Sequence, residues 1–212
     1  MSWHDKIGRI VCLNLAKRED RLLAFTEQAE KYSLPFERVE AIYDEAQGAR
    51  GLRDTLVKLF NEAIGNETKS VLVFEDDCDI VVDPDTFNST MEKVMEQLPP
   101  NYDMVLLGCQ LSHRISHFNS ENIFPVTMAF STHSVLYSLQ GMKNIVALPL
   151  EFPIDNDMVA RLQPMNRTYC VYPLLCSQVE GFSDIGKSRI AWDAFISARY
   201  EQKINEYKLG MR

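Results

Sequence analysis

Four consecutive apolar residues, Val71-Leu72-Val73-Phe74, run directly into Glu75-Asp76-Asp77-Cys78-Asp79. An unbroken apolar run of this length reads as a short strand buried on both faces, whereas a half-exposed strand would alternate. Covering both faces of a sheet takes helices on each side, so the chain is directed toward a layered α/β architecture. The carboxylates then fall at the strand's C-terminal end, which is where open α/β sheets bind ligands. The formal net charge of the chain is −8, and the stretch from Ser70 to Glu92 carries seven acidic residues with no Lys or Arg, so the acidity is local. Carboxylates this crowded repel one another unless a cation or a cationic group lies among them.

The rest of the chain repeats the strand-then-helix theme. Ile7 to Leu15 fits a first buried strand, and Leu22, Phe25, Ala29 and Tyr32 follow as the stripe of an amphipathic helix. Phe36 to Ile42 reads as a second strand, Gly48-Ala49-Arg50-Gly51 as a flexible turn, and Leu52 to Ile64 as a helix. Asp83-Pro84 is a cap and first helical position for a stripe of Phe87, Met91, Val94 and Leu98, stopped by Pro99-Pro100. Met104 to Leu107 and Ser134 to Tyr137 read as strands, Leu139 to Leu148 as a helix, and Ser112 to Asn122 as a loop. Strands alternating with helices predict an α/β fold with a mostly parallel central sheet, built as one domain over residues 1–212.

Composition narrows the function classes. A pI near 5.1 disfavours nucleic-acid backbones and anionic membranes as partners, since both need a basic surface. Lys187 to Arg212 does turn basic, and a solvated helix face accounts for that. The sequence begins without an apolar leader and contains no apolar run near the roughly 18 residues of a membrane span, so a cytoplasmic location is expected. Cys12, Cys78, Cys109, Cys170 and Cys176 are odd in number and lack CxxC spacing, which fits reduced, packed thiols better than disulfides or a structural zinc site.

Glu75, Asp76 and Asp77 suit a hard divalent cation, Mg2+ or Mn2+, held against the phosphates of a substrate; a solvated acidic turn or a helix cap is the plainer alternative. Asp155 and Asp157, in Pro153-Ile154-Asp155-Asn156-Asp157, are either a second carboxylate pair, one of them a general base, or simply a turn. Gly181 to Ser188 matches the phosphate-binding pattern GxxxxGK[ST], but poor strand material precedes it and few residues follow. His113 and His117 lack the Glu of a zinc-protease helix, and Trp192 reads as a packing anchor.

In order along the chain, Asn14-Leu15-Ala16-Lys17-Arg18-Glu19-Asp20-Arg21, Phe74-Glu75-Asp76-Asp77, Thr132 to Met142, Pro153-Ile154-Asp155, Ser183-Asp184 and Trp192-Asp193 resemble motifs of glycosyltransferase family 25. That resemblance implies a Rossmann-like αβα sandwich of the GT-A type, a UDP-linked nucleotide-sugar donor, and inverting transfer to a hydroxyl of a glycan, protein or other acceptor. By the same analogy Asp77 and Glu75 would hold Mn2+ or Mg2+. Asn14, Leu15, Arg18, Arg21, Glu75 and Asp76 would lie near the nucleotide, and Asp155 or Asp157 near the acceptor. The chain departs from the family at Arg53-Asp54, where a Ser-His is usual, and at Tyr43-Asp44-Glu45, where an Asp-Gly is usual. A catalytically inactive binder of sugar nucleotides or of a partner protein is the alternative, and a P-loop nucleotidase a more distant one.

Overall fold

A computed structural model describes residues 2–111, 120–151, 153–179, 181–183, 188–190 and 202. The regular elements that position the site begin with β1 (Arg9–Asn14), α1 (Glu19–Lys31), β2 (Glu37–Glu40), α2 (Gly48–Gly65) and β3 (Ser70–Glu75). They continue with β4 (Cys78–Ile80), α3 (Pro84–Gln97), β5 (Met104–Leu106), β6 (Gln110–Leu111), β7 (Ile123–Pro125), β8 (Ala129–Phe130), β9 (Ser134–Ser138) and α4 (Leu139–Val146). The short α5 (Ile154–Asp157) runs on into a π-helical turn, and β10 (Thr168–Val171), β11 (Cys176–Gln178), β12 (Gly181–Ser183) and β13 (Ser188–Ile190) follow.

Among the described residues, seven strands form one sheet in the order β2-β1-β3-β9-β5-β10-β7. The first three are parallel, β5 and β10 are parallel to each other, and β9 and β7 run against their neighbours. Five of the seven strands therefore share one direction, and the sheet is mostly parallel as expected.

Strand alternation divides the core into two layers. Val11, Leu13, Val71, Val73, Met104, Leu106, Val135 and Tyr137 pack on one face with Leu56, Phe60 and Ala63 of α2 and Met142 and Ile145 of α4. Ile10, Cys12, Leu72, Phe74, Val105 and Leu136 pack on the other face with Phe25 and Ala29 of α1 and Phe87, Met91 and Val94 of α3. This is the αβα sandwich that the apolar run of β3 demands, since its residues are fully buried on both faces. The five cysteines are free and buried, packed as small hydrophobes.

The helix expected from Leu52 starts four residues earlier, at Gly48, so Gly48 to Gly51 is a first helical turn rather than a flexible link. Asp44 turns the chain into it: its Oδ1 accepts from the amides of Ala46 and Gln47 at 2.9 and 2.8 Å, and its Oδ2 pairs with Arg50. The cap expected at Asp83 is present, its Oδ1 accepting from the Thr86 amide at 2.9 Å.

The apparent phosphate loop is overturned by its backbone. β12 and β13 pair antiparallel, with Ser183 opposite Ser188, where the pattern requires a helix opening at that point. Lys187 lies outside the described residues, as do His113, His117, Asp184, Trp192, Asp193 and nearly all of the basic C-terminal stretch. No helix among the described residues is long and apolar enough to cross a membrane.

Candidate active site

From β1 the chain moves toward one edge of the sheet, and from β3 toward the other, so a crevice opens at their C-terminal ends. Register places Leu13 beside Glu75. The Glu75 amide donates to the His133 carbonyl at 2.9 Å and the Asp76 amide to that of Leu13 at 3.1 Å, so backbone bonds fix where the carboxylates leave the sheet. Thr132, just ahead of β9, donates its hydroxyl to Glu75 Oε1 at 2.7 Å. Burial raises the Glu75 pKa to about 8, with the charge of Asp77 as the next cause.

Asn14 and Arg21 organise the next carboxylate. The Asn14 side chain is buried, and its amide nitrogen donates to Asp76 Oδ2 at 2.7 Å and to the Arg18 carbonyl at 2.9 Å. Its oxygen accepts from Arg38 Nε at 2.9 Å, so one side chain ties the ends of β1, β2 and β3 to the start of α1. Arg21 reaches across from α1 and places one nitrogen, Nη1, 3.0 Å from Asp76 Oδ1 and 3.2 Å from Asp77 Oδ2. Burial still pushes the Asp76 pKa up, against the pull of Asn14 and Arg21. Arg21 thus gives two of the crowded carboxylates a positive partner from the protein itself.

Asp77 is different. Its Oδ1 is buried and has no hydrogen-bond partner, while its backbone carbonyl accepts from the Val179 amide at 2.8 Å. A buried acceptor left unpaired in this way is costly.

Glu75, Asp76, Asp77 and Arg21 line a cavity of about 100 Å³ together with Leu13, Leu15, Gly48, Leu52, Gln178 and the Ala41–Asp44 segment after β2. A wider cleft of about 590 Å³ adjoins it and is lined by Ala16, Lys17, Glu40 and Lys58; both spaces share Leu15, Ala41, Ile42 and Tyr43. The Tyr43 ring is more than half exposed, with Lys17 Nζ 3.8 Å from its centroid. The combined space offers an aromatic face, lysines and carboxylates within one crevice.

The remaining expected residues divide. Arg18 turns to Asp20, with Nε 2.9 Å from Oδ1, and lines neither space. Asp155 lines neither space, but its charge is the least of the causes that raise Glu75, and burial raises its own pKa against hydrogen bonds from the Asn156 and Ser131 backbones. Ser131 adopts φ 85°, a left-handed conformation unusual for a residue with a Cβ. Asp157 is fully buried and lies 3.5 Å from Arg161 Nε, one helical turn on. The two aspartates thus occupy different surroundings. Thr132, Arg38, Tyr43 and Gln178 complete the site without having stood out as functional residues, because their relation to the carboxylates depends on strand order.

No protein-family model matches the chain, and neither does any curated protein sequence. Among solved structures, the chain is similar to A197 from STIV at a TM-score of 0.52 and 14% identity, over 86% of this chain and 93% of that one. It also matches a glycosyltransferase involved in the glycosylation of the major capsid of PBCV-1, at 0.49 and 15% identity over 76% and 80%. A third match, at 0.38 and 12% identity over 79% and 92%, is CMP:2-keto-3-deoxy-manno-octonic acid synthetase complexed with CTP. Likeness at this distance is one of fold, and the family 25 resemblance rests on its motifs alone.

Proposed function

We propose that this chain is a metal-dependent glycosyltransferase that moves a hexose from a UDP-linked sugar to a hydroxyl acceptor with inversion. One placement supports the reading above the others: Asp77, with its unpaired Oδ1, stands beside Glu75 and Arg21 in a cavity at the C-terminal ends of β1 and β3. A hard divalent cation takes one or two carboxylates and completes its shell with phosphate oxygens and water, which is what Asp77 and Glu75 offer. Among the described residues no group of three His, Cys, Asp or Glu side chains is placed to hold a metal ion by itself, so in this reading phosphate oxygens and water would have to supply most of the shell.

In this reading the cation, when bound, neutralises charge on the departing diphosphate. Tyr43 and Leu15 provide an apolar wall for the nucleoside, and Lys17, Lys58 and Arg21 provide positive charge for its phosphates. Asp155 takes the proton of the acceptor hydroxyl as its oxygen bonds to the anomeric carbon and the bond to the diphosphate breaks. Burial raises the Asp155 pKa and makes it a stronger base than an exposed aspartate. Asp157, buried against Arg161, has no part in this step.

The test is calorimetric titration of a panel of nucleotide sugars with Mn2+, followed by turnover on hydroxyl acceptors, for the wild type and Asp77→Asn. The reading expects UDP-sugar binding that weakens at least tenfold in the variant; absence of binding by every donor overturns it. A second reading, that of a binder without turnover, draws on the internal pairing of Arg21 with Asp76 and Asp77. Donor binding indifferent to chelator, with no turnover on any acceptor, would select that second reading.

A further inference from the structure

Arg21 stands on the carboxylate that a cation would have to load. Its Nη1 is 3.2 Å from Asp77 Oδ2, and the opposite oxygen of the same carboxylate is the unpaired Oδ1. A divalent ion bound to Asp77 meets a guanidinium already on that carboxylate, in a crevice where Asp77 and Arg21 have 18% and 16% of their side-chain surface exposed. Water screens two positive charges poorly in such a place.

Asp76 gives the guanidinium somewhere to stay. Its Oδ2 is held by Asn14 at 2.7 Å and its Oδ1 accepts from Arg21 Nη1 at 3.0 Å, so Arg21 keeps this anchor when it leaves Asp77. A guanidinium carries five N–H donors in a planar fork that matches phosphate oxygens. Arg21 also lines the cavity in which a diphosphate would lie. An entering diphosphate therefore offers Arg21 a new partner and at the same time adds negative charge between the guanidinium and the cation.

Building on the proposed nucleotide-sugar reading, we propose that Arg21 and the divalent cation are alternative partners of Asp77, so that diphosphate and cation load the site cooperatively. Binding of the nucleotide moves Arg21 from Asp77 toward the phosphates and opens the carboxylate to the ion. By linkage, each ligand raises the affinity for the other by the same factor. A chain whose carboxylates are neutralised internally stays stable without metal and takes up the ion with its substrate.

The experiment measures Mn2+ binding directly, by loss of the free-ion electron paramagnetic resonance signal, for the wild type, Arg21→Gln and Arg21→Lys, with and without UDP. Thermal melts establish that each variant folds. Wild type is expected to bind Mn2+ alone weakly, and Arg21→Gln at least about fivefold more tightly, the low end of ordinary coupling factors. Because Mn2+ and UDP also associate in solution, the Mn2+-alone difference is the deciding arm. Arg21→Lys keeps the charge without the fork, so Mn2+ alone should bind as weakly as to wild type and gain less from UDP.

Equal Mn2+ affinity in wild type and Arg21→Gln overturns the proposal. If Arg21→Gln does not fold, Arg21→Met takes its place in the Mn2+-alone comparison, where tighter binding than wild type supports the proposal and equal binding overturns it. UDP that fails to bind any of these proteins refutes the nucleotide-sugar reading instead, and the Mn2+-alone comparison still judges the competition at Asp77.

Discussion

Gly51 packs so closely against Ile42 that a Cβ on it would stand 2.4 Å from the Ile42 carbonyl oxygen and 3.2 Å from the Asp44 amide. Thr55, one turn along α2, accepts from the Ile42 amide at 2.8 Å, so the helix grips the Ala41–Asp44 wall of the cavity from its own first turns. The obstacle is backbone, and it cannot rotate away. Gly51→Ala is therefore expected to push the wall toward the crevice, cost about 1–3 kcal/mol in denaturant unfolding, and weaken nucleotide binding. Unchanged stability and binding would show that the wall yields freely.

Asn14 makes the bond whose loss is hardest to replace. Asn14→Ala leaves Asp76 Oδ2 without this partner in a largely buried place, at a cost of about 1.5–3 kcal/mol for a bond to a charged group, whereas the exposed Arg38 can turn to water. Asn14→Asp is isosteric but sets a second carboxylate against Asp76, 2.7 Å from the donor position it replaces. The aspartate variant should be the less stable of the two at neutral pH and should recover as the pH falls, which equilibrium denaturation at pH 5 and 8 would reveal.

The layers were legible because they were written locally. β3 announced itself by an unbroken apolar run, α1 and α3 by their stripes, and α3 also by Asp83-Pro84. Nothing local marks β7 and β10 as sheet strands: three and four residues long, they owe their burial to partners distant in sequence. The antiparallel insertion of β9 between β3 and β5 is equally non-local, and it is what brings Thr132 to Glu75. The acidic cluster was visible, and so was its need for a cation, but not that Arg21 meets it. Asp155 and Asp157 looked like a pair in sequence; two positions apart on a helical turn, their side chains point to different sides.

His133 and Glu75 should bend the stability profile in opposite directions. Burial lowers the His133 pKa to about 4, so the unfolded chain protonates first as pH falls. Its contribution is full above the ordinary histidine value of about 6.5 and is lost toward pH 4, by up to roughly 3 kcal/mol. Glu75, raised to about 8, holds its proton in the folded state, so its contribution is present below about 4.5 and is lost as pH rises toward 8. Asp76 and Asp155 are shifted upward too and add to the second trend. Without ligands, wild type should weaken only gently between pH 4.5 and 6.5, where His133 opposes the three carboxylates, and more steeply just above that. His133→Leu should weaken steadily across the whole interval, and superimposable wild-type and variant profiles would refute a neutral buried His133.

Asp155→Asn separates chemistry from binding. The residue is held by the Asn156 amide at 2.9 Å and by the Ser131 backbone, contacts that an asparagine oxygen keeps, so the fold and the donor cavity should survive. Loss of a general base costs about 10²–10⁴ in rate. Turnover on a hydroxyl acceptor should fall by that order while UDP-sugar affinity changes less than threefold. Asp157→Asn removes a charge buried 3.5 Å from Arg161 and should act through stability instead, leaving the rate of the folded fraction near that of wild type. Kinetics normalised to folded protein would distinguish the two, and equal rate losses in both variants would remove Asp155 from the acceptor side.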